Sequence, residues 1–250
     1  MMIPANDQSS LSLLYHLNSE PWRNDQAYTA EPYVQEFPLP DPSGPPINLP
    51  KPKTTALSQL IAGRRSVRAF SGEPLSLDAL SSVLHAAYGL VSADPQDTNL
   101  LPLRRSVPSA GGSYALDVYV FTQSVSGMED GLYFYDGLRG RMLLRETRDG
   151  FEGLDQVFYT HGFVAKANAL VCLAARFEHC QSKYGPRGYR YMLLEAGHAA
   201  QNICLTSVDL ALGSLVMGGY VDSALLRELK LDPLKAGVLY SVAIGHPQDR

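Results

Sequence analysis

Residues 167–175 read Ala-Asn-Ala-Leu-Val-Cys-Leu-Ala-Ala, an almost wholly apolar run without a charged side chain. A strand buried on both faces has this composition. After Gly185-Pro186 a helical period runs from about Gly188 to Leu210. Met192, Leu193, Ala196, Ala199, Ala200, Ile203 and Leu210 occupy its apolar or small positions, and Gly213 stops it. A buried strand followed this closely by a long helix makes a chain of mixed helix and strand the starting expectation.

The remaining signals fit around that pair. Thr55 caps a short helix with Leu57, Leu60 and Ile61 inward, and Gly63 ends it. Ser76 caps a second helix, with Leu77, Leu80, Leu84 and Ala87 as its stripe and Gly89 as its stop. Residues 91–107 read as a loop carrying Arg104 and Arg105. Leu116 to Thr122 reads as a strand. Leu132 to Tyr135, Asp136-Gly137 and Arg141 to Leu144 form a hairpin pattern. Phe151 to Phe163 is expected to be helical, Asp222 to cap a helix through Leu229, and Val238 to Ile244 to form the last strand. Helices and strands mix without a βαβ rhythm, so the expectation is α+β.

Residues 1–53 differ from the rest. Leu11 to Leu17 is a short apolar patch. Trp22, Tyr28, Tyr33 and Phe37 follow, and then a tract with seven prolines from Pro38 to Pro52. Proline blocks helix and favours extended chain. The expectation is an arm over residues 1–53, laid on another surface, and one globular domain over 54–250.

Charged residues make up 18% of the chain, against roughly 25% in an average soluble domain. That argues against a coiled coil or a disordered tail. A net charge of -4 argues against nucleic-acid binding. Cys172, Cys180 and Cys204 form an odd set without a CxxC pair, which fits buried thiols rather than disulfides or zinc. No signal peptide or membrane span is visible, so a cytoplasmic protein is expected. His198 reads as a packed core histidine, and no metal site is expected.

The sequence has no GxGxxG after a strand, no GxxxxGK[ST], no HExxH and no GxSxG. Three segments carry chemistry instead. Arg64, Arg65, Ser66 and Arg68 crowd cations at a helix end, where guanidinium forks match phosphate oxygens. A solvated basic corner is the plain alternative. Pro108-Ser109-Ala110-Gly111-Gly112-Ser113-Tyr114 precedes a strand with small residues that admit a flat ligand, or simply make a turn. Met217-Gly218-Gly219-Tyr220 could again bring backbone amides to a ring, or turn the chain.

Together these segments resemble the flavin-dependent nitroreductase superfamily, in particular its SagB-type (McbC-like) dehydrogenases. The resemblance covers residues 54–247. It rests on RRSVRAF at 64–70, the LSLDALSSVLHAAYGL helix, VPSAGGSYALDVYVF at 107–121 and GLYFYD at 131–136. KYGPRGYRYMLLEAGHAAQNICL at 183–205 and SVAIGHP at 241–247 complete it.

The resemblance implies a mostly antiparallel central sheet flanked by helices. It also implies an intertwined homodimer with FMN bound between the subunits. Such an interface would account for the low charge content. Arg64, Arg65, Ser66 and Arg68 then hold the phosphate and ribityl chain. Pro108, Ser109, Ala110 and Gly111 line the flavin of the other subunit. Met217, Gly218 and Gly219 lie near flavin N5, and Gly245 and His246 near the phosphate. Lys183 and Tyr184 match the pair linked to proton removal in azoline-oxidising members; a packing pair at a helix entry is the alternative. Many nitroreductases carry Asn after the Pro-Ser pair, where this chain has Gly111-Gly112-Ser113.

The implied activity is FMN-dependent dehydrogenation of thiazoline or oxazoline to azole, or a related C–N oxidation in natural-product biosynthesis. The implied substrate is a small-molecule, peptide or carrier-bound heterocycle, with partner enzymes of the same biosynthesis. A general NAD(P)H-dependent nitro or quinone reductase, and a flavin-binding scaffold subunit, are the rival expectations.

Overall fold

The computed structural model describes residues 44–92, 103–151, 153–159 and 162–248, with Leu14, Tyr15 and Ser19. Helix α1 spans Ala56–Gly63 and α2 Leu77–Tyr88. Strands β1 Leu90–Ser92 and β2 Arg104–Arg105 form a small antiparallel pair. Then follow β3 Leu116–Thr122, β4 Gly131–Asp136, β5 Arg141–Thr147 and β6 Ala169–Arg176. Helices α3 Phe177–Tyr184 and α4 Arg187–Asp209 come next, then β7 Gly213–Met217, α5 Asp222–Glu228 and β8 Ala236–Gly245. The fold is α+β and nitroreductase-like.

The main sheet has the order β5-β4-β3-β6-β8-β7, and every neighbouring pair in it is antiparallel. The uncharged run is its interior. β6 lies between β3 and β8, and all its residues but Arg176 are buried. Its side chains still alternate. Val171, Leu173 and Ala175 face a core shared with α2 and α4, through Leu80, Leu84, Met192, Ala196, Ala199 and Ile203. Leu170, Cys172 and Ala174 face a second core with Phe151, Leu154, Phe158, Tyr220 and Leu225. Burying each Leu or Ile side chain contributes roughly 1.5–3 kcal/mol. Cys172, Cys180 and Cys204 are buried, and desolvation holds their thiols above the usual range.

The sheet's two edges differ. β5 is mostly exposed, with Leu143 and Leu144 between Arg141 and Arg145. β7 is met near its start by the segment after α1, where Ser66 bridges Ser214 in parallel.

Several local expectations are corrected. α1 carries the Thr55–Ser58 capping box but buries none of its residues; Leu57 and Ile61 face outward, and the helix meets the body chiefly at α4. Leu77 and Leu193 are exposed, at the margins of their apolar stripes. His198 is exposed, on the face of α4 turned away from the sheet. The described residues of 151–163 do not form an α-helix; a 3-10 turn at Leu154–Val157 is followed by a Phe158–Tyr220 bridge. Asp222 is the first residue of α5, and Val221 holds the cap position. The 91–107 loop begins and ends in the β1–β2 pair. α3 escaped notice because its residues are mostly polar.

Trp22, Tyr28, Tyr33 and Phe37 lie outside the described residues, and 44–53 is exposed and neither helix nor strand. Tyr15 has its ring 5.7 Å from Tyr189 at the start of α4. Among the described residues, no helix is long and apolar enough to cross a membrane.

α3 and α4 meet at Gly188, where an added Cβ would sit 2.8 Å from the Cys180 carbonyl carbon and 2.9 Å from its oxygen. Backbone at that distance cannot yield cheaply. Gly188→Ala is expected to destabilise the fold by about 1–3 kcal/mol, measured by urea unfolding.

Candidate active site

The predicted residues assemble in two groups. The first forms around β7. Gly63 ends α1 with its Cβ position 3.3 Å from Val208 in the last turn of α4. The chain then runs extended along β7. Val67 N–H donates to the Ser214 carbonyl (3.0 Å), Ser71 N–H to that of His246 (2.9 Å) and Gln248 N–H to that of Ala69 (3.0 Å). These bonds bring Arg64, Arg65, Ser66 and Arg68 beside Gly245 and His246. Arg65 donates to the Ala62 and Arg64 carbonyls, and Arg68 lies 3.5 Å from the Ser66 carbonyl. Among the described residues none of the three arginines is paired with a carboxylate. Such a cluster favours an anion. Gly245 is buried, and its missing side chain is explained by packing, with Asn168 Oδ1 2.8 Å from its Cβ position.

At the far end of β7, Met217 is buried and its carbonyl accepts from Ser241 Oγ (2.9 Å). Gly218 and Gly219 follow, both exposed. The Tyr240 ring lies 3.6 Å from the Gly218 Cβ position and Tyr159 3.3 Å from that of Gly219. With a strand rise of about 3.3 Å per residue, Gly218 lies roughly 13 Å from Ser214. One strand thus presents cations at one end and side-chain-free backbone over a tyrosine ring at the other. That suits a ligand with a phosphate and a flat ring system.

The second group gathers at the start of α4. Pro108 is exposed, and Ser109, Ala110 and Gly111 enter a tight turn. Gly111, Gly112 and Tyr114 all have left-handed backbone, at φ 53°, 62° and 44°. Lys183 and Tyr184, at the end of α3, face this turn. Lys183 Nζ donates to the Gly111 carbonyl (3.2 Å) and lies 5.4 Å from the centre of the Tyr184 ring. Tyr184 packs edge-on against Tyr191, with ring centres 5.1 Å apart. A Cβ at Gly111 would collide with the Tyr184 hydroxyl and lie 2.5 Å from Lys183 Nζ. Glycine at 111 is therefore set by this pair as well as by its φ.

Sequence reading missed the group behind the turn. Glu195 is 3% exposed, inside α4. It accepts hydrogen bonds from the Tyr88 hydroxyl and, at 2.5 Å, from Ser109 Oγ. Burial pushes the Glu195 carboxyl up, opposed by the hydrogen bonds from Ser109 and Tyr88, the Ala115 N–H and the nearby Arg105. Burial likewise raises the Tyr88 phenol. The Arg105 guanidinium stacks 4.5 Å from the Tyr88 ring centre and 5.5 Å from that of Tyr114. A signal was present: Glu195 sits on the apolar stripe of α4, between Met192 and Ala199, where a charge needs partners.

Within one chain the arginine segment and the Lys183–Tyr184 pair stand apart. Gly63 packs on Val208 near one end of α4, and Lys183 and Tyr184 stand before the other. At about 1.5 Å per residue the span is roughly 30 Å. A cavity of about 530 Å³ lies behind the turn, lined by Tyr88, Arg105, Tyr114, Phe134, Arg176 and His179 among others. None of the predicted site residues lines it.

The Nitroreductase family model matches residues 61–246, which include every predicted site residue. The chain belongs to the nitroreductase family. It is an oxidoreductase of that family, whose members generally bind flavin. It is 34% identical over 185 residues to the nitroreductase-type protein MJ1384 of Methanocaldococcus jannaschii, covering 74% of this chain and 89% of that one. It is 26% identical over 182 residues to the microcin B17-processing protein McbC of Escherichia coli, covering 70% of this chain and 64% of McbC. Among solved structures, the E. coli microcin synthetase McbBCD complex with truncated pro-MccB17 bound superposes with a TM-score of 0.76 at 20% identity, over 98% of this chain and 95% of that one. A nitroreductase of Desulfovibrio desulfuricans in complex with FMN gives 0.53 at 21% identity, over 79% and 89%. One from Anabaena variabilis gives 0.63 at 24% identity; the match covers 77% of this chain but only 38% of that longer one.

The contact between Gly111 and the Lys183–Tyr184 pair yields a direct test. Gly111→Ala is expected to lower oxidoreductase turnover at least about tenfold by displacing the pair, one tenfold step being about 1.4 kcal/mol. Gly127 shares a positive φ of 79° but has nothing within 4 Å of its Cβ position, so Gly127→Ala should leave turnover unchanged in the same steady-state assay.

Proposed function

We infer that this oxidoreductase is an FMN-dependent dehydrogenase that works as a homodimer and oxidises an azoline ring, thiazoline or oxazoline, to the azole. The observation that carries the reading is the meeting of Lys183, Tyr184 and Gly111 at one point. The similarity to McbC, and to a chain of the McbBCD complex, supports a biosynthetic setting with partner enzymes.

The residues present fit FMN. Arg64, Arg65, Ser66 and Arg68, with His246 alongside, would hold the phosphate. Met217, Gly218 and Gly219 would offer backbone to the ring, and Pro108, Ser109, Ala110 and Gly111 would line its other side. The distance along α4 favours two chains, because the arginines and the Lys183–Tyr184 pair of one chain are too far apart to serve one flavin. The exposed α4 residues Leu193, Leu194 and Gly197, and Leu57 and Ile61 of α1, supply an apolar surface for such a dimer.

FMN, when bound, supplies a two-electron acceptor for hydride. Forming the azole also requires loss of a proton from the neighbouring ring carbon. Lys183 Nζ takes that proton, and Tyr184 orients the amine and the ring. Gly111 keeps the space between them open. The Tyr184–Tyr191 contact prevents the phenol from swinging away.

Purified protein is expected to be yellow, to release FMN on denaturation and to run as a dimer on calibrated gel filtration. Arg68→Ala should weaken FMN binding about tenfold in a fluorescence titration. Lys183→Ala should keep FMN bound and lose azoline turnover about a hundredfold or more. Unchanged turnover in that variant removes the base assignment. NADPH-driven reduction of nitroaromatics without azoline turnover would identify a general reductase instead.

A further inference from the structure

The Ser109–Tyr114 turn has left-handed backbone at Gly111, Gly112 and Tyr114. Glycine adopts this conformation freely, but Tyr114 does not, and its backbone persists there only where the surroundings hold it. Ser109 Oγ closes the turn by accepting from the Tyr114 N–H (2.8 Å), while its own proton goes to Glu195 (2.5 Å). On the other side, the Tyr88 hydroxyl accepts from the Leu116 N–H (3.1 Å) and donates to the second Glu195 oxygen. Each hydroxyl thus accepts from the backbone and donates to the same carboxylate. Glu195 must accept on both oxygens at once. An ionised carboxylate does this; an amide of the same shape offers one acceptor and one donor.

We propose that Glu195, acting through Ser109, is a positioning residue that fixes the turn at the height where the Gly111 carbonyl meets Lys183. The hydrogen bonds of the carboxylate go to Ser109, Tyr88 and the Ala115 N–H, and not to the amine. Its effect runs from α4 to Ser109, through the turn to Gly111, and so to Lys183 Nζ. The functional meaning rests on Lys183 being the base, as inferred above; the positioning itself does not.

The test is therefore read at the amine. The full-length chain is treated with dilute acetic anhydride, and acetylation rates of individual lysines are followed by peptide mass spectrometry. Lys166 and Lys235, both exposed, are internal references. Glu195→Gln and Ser109→Ala should each speed Lys183 acetylation about fivefold relative to the references, the factor expected for losing one hydrogen bond of about 1 kcal/mol. The double variant should do no more than either single one, since both act on one route. An unchanged Lys183 rate in both single variants overturns the proposal. So does a rise shared by all three lysines, which reports loosening of the whole fold. Multiplied effects in the double variant would mean separate routes and also overturn it. If Lys183→Ala retains azoline turnover, the base assignment fails while the labelling result still judges Glu195.

Discussion

The burial of α4 against the central sheet is the constraint on which everything else rests. Ala196, Ala199 and Ala200 are small enough to bring the helix close to the strands, and Met192 and Ile203 fill the core on either side of them. One end of this helix packs on the exit from α1. The other end receives α3 and the Lys183–Tyr184 pair. Its middle carries Glu195 under the Ser109 turn. A single rigid rod thus fixes the distance between the cationic segment and the amine.

The sheet supplies the complementary ruler. β7 is short, yet it joins the arginine segment at Ser214 to the open backbone at Gly218 and Gly219. The two rulers run through the same core, because β7 and β8 pack under α4. The site is therefore specified by length and packing before any side chain reacts.

Much of this was legible in the residues. The central strand at 167–175 and the long helix showed through composition and period, since both lie deep in one core. The arginines, the Pro108–Gly111 segment and the Lys183–Tyr184 pair were legible as segments. Their grouping was not, because Gly111 meets Lys183 only once α3 folds back, and no spacing along the chain records that. The 151–163 reading failed because Phe151, Leu154, Val157 and Phe158 keep an apolar spacing that a 3-10 turn followed by an extended bridge can also bury. Leu57 and Ile61 misled for another reason: an apolar helix face points to a partner surface but does not say whose.

The covering of β7 has a further consequence. A sheet edge with free backbone groups can recruit other chains. β5 limits this with Arg141 and Arg145 beside its exposed leucines. β7 has no such charges within it, and its edge is capped at Ser214 by Ser66 and Val67. The arginine segment therefore doubles as a guard against strand-to-strand aggregation. The backbone hydrogen bonds that would present the arginines to an anion are thus the ones that shield part of this edge.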